Sequence, residues 1–94
     1  MTLRYTRRAL DDLDEIRCYI SKHKPAAAWL IGSFIRRSIA NLTMWPYRGR
    51  ATNRDGIRRL VVSTFPYVVF YAIVGNEIVI LRVMHARRAE STSR

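Results

Sequence analysis

The chain predicts an α+β domain of order β-α-α-β-β-β, a helical hairpin packed on a mainly antiparallel sheet. Apolar residues recur every three to four positions as far as Leu42, the spacing of helices buried along one side. From Ile57 the chain turns β-branched and aromatic, in three runs bounded by turn residues. Gly75-Asn76 between the last two runs is a two-residue hairpin signal, which pairs those strands antiparallel.

Thr2 to Tyr5 alternates as a short strand, and Thr6 offers the hydroxyl that caps a helix. Leu10, Leu13, Ile16 and Ile20 follow on one side of it, with Tyr19 beside them. Asp11, Asp12, Asp14 and Glu15 fall in its early turns, where the helix dipole favours negative charge, and they are expected to form a solvated face. His23-Lys24-Pro25 breaks this helix, and the proline opens a second one. Its stripe is Ala27, Ile31, Phe34, Ile35 and Leu42, widened by Leu30 and Ile39. Trp29 lies off that stripe, with Gly32, Ser33 and Arg36 as helix-surface neighbours. An aromatic over small residues and edged by arginine has the make-up of a protein-binding patch. Cover by a loop or by the sheet is the equal alternative.

Met44-Trp45-Pro46 closes the second helix, and residues 47–56 form a loop carrying Arg48, Arg50 and Arg54. Strands are expected over Ile57–Ser63, Tyr67–Val74 and Glu77–His85. They are apolar at both parities, so one face packs on the helices and the other calls for a partner or a covered groove. The domain is drawn over residues 1–88, with 89–94 a polar, frayed tail.

A 94-residue chain that is 49% hydrophobic sustains one modest core. Its 17 Lys plus Arg against 7 Asp plus Glu give a net charge of +10, which attracts nucleic acid, an anionic membrane or an acidic protein. Fifteen of these cations are arginine, whose planar fork suits carboxylate and phosphate. Cys18, the one cysteine, is expected as a small buried thiol in a reducing cytoplasm. No apolar run nears the length of a membrane span, and no leader pattern is present.

On a regular last strand Val79, Leu81, Val83 and His85 share one face, and Ile80, Arg82 and Met84 the other. The hairpin sets Tyr71 and Tyr67 beside Leu81 and His85. Arg58 or Arg59, Arg82, His85, Arg87 and the loop arginines are then candidates to converge on a phosphate or carboxylate. His85 is either a proton exchanger there or a strand-end histidine bonded to a carbonyl. No metal set, Ser/His/Asp set, Walker loop or dinucleotide motif is present, and no cofactor is expected.

Three stretches together resemble the RelE/ParE superfamily of type II toxin–antitoxin toxins, over nearly the whole chain. They are YTRRALDDLDEIRCYI, AAAWLIGSFIRRSIANLTMWPYRGR and IRRLVVSTFPYVVFYAIVGNEIVILRVMHARR. The likeness is strongest to the ParE, or plasmid stabilization, branch. It implies a toxin neutralised by a cognate antitoxin of ParD-like kind. Such a partner has an acidic helix-forming tail and a ribbon-helix-helix DNA-binding domain, and the two chains form a hetero-oligomer. The tail would seat on Trp29, Gly32, Ser33 and Arg36.

The superfamily implies two mechanisms. ParE-like members poison DNA gyrase by binding, which makes Arg58, Arg59, Arg82, His85, Arg87 and Arg88 contact residues. RelE-like members cut messenger RNA on the ribosome, which makes Arg59, Arg82 and His85 the candidate catalysts. The chain departs from the second pattern. Ala86 stands where those RNases carry a tyrosine, Arg48, Arg50 and Arg54 stand where they carry lysines, and Asp55 is the nearest acid in place of their glutamate. An inactive member, or a general nucleic-acid-binding domain, is the third reading.

Overall fold

A computed structural model describes residues 1–62 and 65–92. The long apolar run Tyr67–Val74 forms β4, the central strand of a five-stranded sheet. Central placement explains why it is apolar at both parities, since a layer lies on each side of it. The sheet order is β1-β5-β4-β3-β2, with β1 at Thr2–Tyr5, β2 at Arg50–Ala51, β3 at Ile57–Val62 and β5 at Glu77–His85. Neighbours pair antiparallel except β1, which runs parallel to β5. The sequence expectation missed β2, which is only two residues long and leaves no run to detect. Ser63, expected to end β3, lies outside the described residues.

Helix α1 (Arg7–His23) starts where Thr6 Oγ1 accepts the Ala9 N–H at 3.1 Å. Helix α2 (Pro25–Ala40) starts on its proline and runs into a 3-10 turn at Asn41–Thr43. Together they bury Ala9, Ile20, Ala28, Ile35, Ile39 and Leu42 against Leu60, Val69, Tyr71, Ile78, Ile80 and Val83. Leu10 and Leu30, assigned to the stripes, are exposed instead. Cys18 is exposed too, which corrects the expectation of a buried thiol. It sits two residues from both Ile16 and Ile20, which turns it to the opposite side of the helix at about 100° per residue.

No described helix is long and apolar enough to cross a membrane. The expected frayed tail is in its described part a helix, α3 (Ala86–Thr92), and Ala89 is fully buried. It packs on Val68, Phe70 and Met84, on the sheet face turned away from the helical hairpin. The chain thus covers part of that face itself, where the sequence called for a partner or a groove. Ser93 and Arg94 lie outside the described residues.

The expected face assignment of β5 fails at one residue. Phe70 pairs with Arg82 but Tyr71 pairs with Ile80, so Leu81 is an extra residue in a β-bulge. Alternation changes phase there. Val83 joins Ile78 and Ile80 under the helices, and Met84 joins Phe70 on the other face. The cause lies in the neighbouring strand. β1 ends at Tyr5 opposite Ile80, and the start of α1 takes over the edge of β5. Thr6 N–H donates to the Ile80 carbonyl at 3.0 Å, and Thr6 Oγ1 donates to the Leu81 carbonyl at 3.2 Å. The Val83 N–H then donates to Asp12 Oδ2 at 3.0 Å.

Asp12 therefore departs from the expected solvated face. Asp11, Asp14 and Glu15 are exposed, but Asp12 is only 5% exposed. Arg82 grips its carboxylate with both arms of the fork, Nε to Oδ2 at 2.8 Å and Nη2 to Oδ1 at 3.2 Å, and Arg8 stands 3.8 Å from Oδ1. Removing one partner of a buried, hydrogen-bonded ion pair strands the other. Asp12→Ala is expected to cost roughly 3 kcal/mol of stability, read from the urea unfolding midpoint. Asp12→Asn, which keeps an acceptor for Val83, should cost less.

Candidate functional site

The sheet separates the cations that the sequence suggested would converge. Arg50 pairs with Arg59, Arg59 with Phe70, and Phe70 with Arg82, so these residues form one row across the face away from the helical hairpin. Arg58 pairs with Tyr71 and points the other way. Its Nε donates to the Gly49 carbonyl at 2.9 Å, and its guanidinium lies 5.2 Å from the centre of the Tyr47 ring. Arg82, held by Asp12, has its fork already occupied.

His85 pairs with Tyr67 on the hairpin side, their rings meeting edge to face at 5.7 Å. Its Nδ1 accepts the Arg87 N–H at 3.1 Å. The expected partner was a carbonyl. The observed one is an amide at the start of α3, so His85 caps that helix. With Arg88, Glu15, Tyr19 and Tyr67 it lines a cleft of ≈ 600 Å³. Burial, reinforced by nearby Tyr19, pushes the Tyr67 phenol above the usual tyrosine range. Arg87 is exposed on α3.

The remaining part of the far face forms a cleft of ≈ 420 Å³. Ile57, Phe70 and Met84 give it an apolar floor, with Arg8, Arg54 and Arg82 at its sides. Arg8 was not foreseen there; it stands one helical turn before Asp12, a spacing visible in the sequence. Among the described residues, no group of three or more His, Cys, Asp or Glu is placed to hold a metal.

The helical hairpin carries a second surface. Trp29 is 78% exposed, so neither a loop nor the sheet covers it. Trp29, Gly32, Ser33 and Arg36 line one groove between α1 and α2, about 310 Å³ in volume, with Ile16 and Arg17 from the facing helix. A Cβ at Gly32 would meet nothing within 4 Å, so the groove is open at that point. The four residues singled out from the sequence are thus brought together.

A third surface went unnoticed. After α2, Met44, Trp45 and Tyr47 are 74%, 64% and 68% exposed. Their loop is nonetheless pinned from beneath. The buried Tyr71 hydroxyl donates to the Pro46 carbonyl at 2.7 Å and accepts the Gly49 N–H at 2.9 Å. A Cβ on Gly49 would fall 2.7 Å from the Tyr71 ring and 2.8 Å from the Arg59 carbonyl, so only glycine lets the loop approach. The available signal was two aromatics flanking a proline, outside any apolar period.

Residues 3–90 match the family model described as the ParE toxin of the type II toxin-antitoxin system parDE. The Y4kP protein of Sinorhizobium fredii is 38% identical over 86 residues, 92% of this chain and 88% of that one. Toxin RelE2 of Caulobacter vibrioides is 37% identical over 84 residues, 89% of this chain and 93% of that one. Among solved structures, a chain of the chromosomal ParDE toxin–antitoxin system of P. aeruginosa superposes with a TM-score of 0.84 at 28% identity, covering 90% of this chain and 95% of that one.

Tyr71→Phe removes both hydrogen bonds that tie down the loop. Amide exchange at Gly49 should quicken at least tenfold, as expected for about 1.4 kcal/mol of lost protection. Gly49→Ala should destabilise the fold by about 2 kcal/mol through overpacking, seen as a lower thermal midpoint.

Proposed function

Because the chain belongs to the ParE toxin family of type II toxin–antitoxin systems, we propose that it acts in the cytoplasm as a poison of DNA gyrase. It does so by binding, and carries out no bond-breaking step of its own. One observation supports this over messenger RNA cleavage: the split of the candidate catalysts. Attack of a 2′-hydroxyl on the neighbouring phosphate needs a base, an acid and cations around a single phosphate. Arg59 projects from one face of the sheet and His85 from the other. Arg82 neutralises Asp12, and His85 Nδ1 is committed to capping α3. In the gyrase reading Arg59, Arg87 and Arg88 touch the target, while Arg58, Arg82 and His85 position the elements that carry them.

The partner is a cognate antitoxin of ParD-like kind, with a ribbon-helix-helix DNA-binding domain and an acidic tail. The tail lies in the α1–α2 groove, its apolar side on Ile16 and Trp29 and its carboxylates near Arg17 and Arg36. The close approach allowed by Gly32 and Ser33 admits a helix, and the two chains form a hetero-oligomer. A net charge of +10 speeds the encounter.

Purified gyrase acting on relaxed plasmid should lose supercoiling activity when the antitoxin-free chain is added. Cleaved plasmid should accumulate, and antitoxin should reverse the effect. Unaffected gyrase, with the chain folded and toxic to cells, would overturn the reading in favour of ribosome-dependent RNA cleavage. His85→Ala should weaken growth arrest only partly; complete loss with the fold intact would restore His85 as a catalyst. Trp29→Ala should weaken antitoxin binding by about 2 kcal/mol, measured by calorimetric titration.

A further inference from the structure

The proposed function requires two partners, an antitoxin and a target. The chain presents two separate apolar-aromatic surfaces at opposite ends of α2. Trp29 stands near its start, and the loop from Met44 follows its end. From Trp29 to Ala40 is about 17 Å at 1.5 Å per residue. The first surface is a groove between helices, shaped for an elongated segment. The second is a projecting loop with a shallow cup of ≈ 460 Å³ formed by Met44, Trp45, Pro46, Tyr47 and Arg48.

Large apolar side chains held out in water are costly unless something covers them. Here the loop that displays them is fastened to the core by Tyr71 and Arg58, so their exposure is not the accident of a frayed segment. Tryptophan, tyrosine and arginine are also the residues that dominate binding energy at protein interfaces. Resting on the gyrase reading above, we infer that the loop Met44–Arg48 is the grip on the target protein. Trp45 and Met44 enter an apolar socket on gyrase, and carboxylates around that socket face Arg48 and Arg50.

Charge complementarity sets the rim. Arg48 and Arg50 are exposed on either side of Gly49. Protein suits the loop better than nucleic acid. One face of the Tyr47 ring is taken by the Arg58 guanidinium, and Met44 offers no flat surface on which a base could stack. Pre-pinning also limits the ordering cost of binding, since the loop has little freedom left to lose.

The test uses the full chain and purified gyrase. Trp45→Ala and Tyr47→Ala should each weaken gyrase binding at least tenfold in a titration without DNA, and supercoiling inhibition should fall in step. Affinity for the antitoxin should stay within twofold, and the thermal midpoint of Trp45→Ala should match the wild type because that side chain is exposed, whereas Tyr47→Ala also gives up the contact with Arg58 and is read against Tyr47→Phe, which keeps the ring and should bind gyrase within threefold of wild type. If wild type inhibits gyrase and both alanine variants inhibit equally, the loop inference falls while the gyrase reading stands. Equal losses for plasmid DNA alone and for gyrase would make the loop a nucleic-acid platform and overturn it. A wild-type chain without effect on gyrase overturns both.

Discussion

Asp12 is the constraint on which the arrangement of this fold depends. β1 is too short to accompany β5 to its end, so the strand has an unpaired edge beyond Ile80. An edge amide facing a helix would be an uncompensated polar group in a small core. The Asp12 carboxylate takes that amide and, being buried, needs a cation in turn. Arg82 supplies it from the same strand. One side chain thereby docks α1 onto β5, completes a strand edge that has no strand beside it, and occupies the Arg82 guanidinium.

Tyr71 performs a comparable service from the central strand. Its ring belongs to the core beneath the helices, while its hydroxyl reaches out to hold two backbone groups of the loop after α2. The same residue thus sets core packing and the attitude of an exposed aromatic cluster. Arg58 reinforces it by bonding to the loop and lying over Tyr47. Rigidity at this surface is inherited from the interior.

Much of the architecture was legible because it rests on local periodicity. Thr6, Pro25 and Gly75-Asn76 marked the starts and turns, and the family likeness followed from the order of the pieces. Trp29 with Gly32, Ser33 and Arg36 was legible as well, since neighbours along a helix are a matter of spacing. The interactions that decide the site were not, because they join residues far apart in the chain. Asp12 meets Arg82, and Tyr71 meets Gly49. A carboxylate on the apolar side of α1, one turn from Ala9 and Ile16, was a visible warning that Asp12 is buried, but nothing local names Arg82 as the cation that grips it. The tail was misjudged for a related reason. Arginine, serine and threonine suggest a polar end, while α3 buries Ala89 and packs Ala86 against the same cluster.

The extra residue at Leu81 acts on β5 as a frameshift acts on a message. Upstream and downstream segments each obey strict alternation, in different phases, and the register of the whole C-terminal end depends on that single offset. Composition there is free to drift, provided size and polarity are kept. Length is not. Inserting one residue after Leu81 would exchange inward and outward sets from Arg82 to the start of α3, sending Val83 to the surface and an arginine to the core. Relatives of this chain should therefore vary in what they carry on this strand far more readily than in how many residues they use to build it.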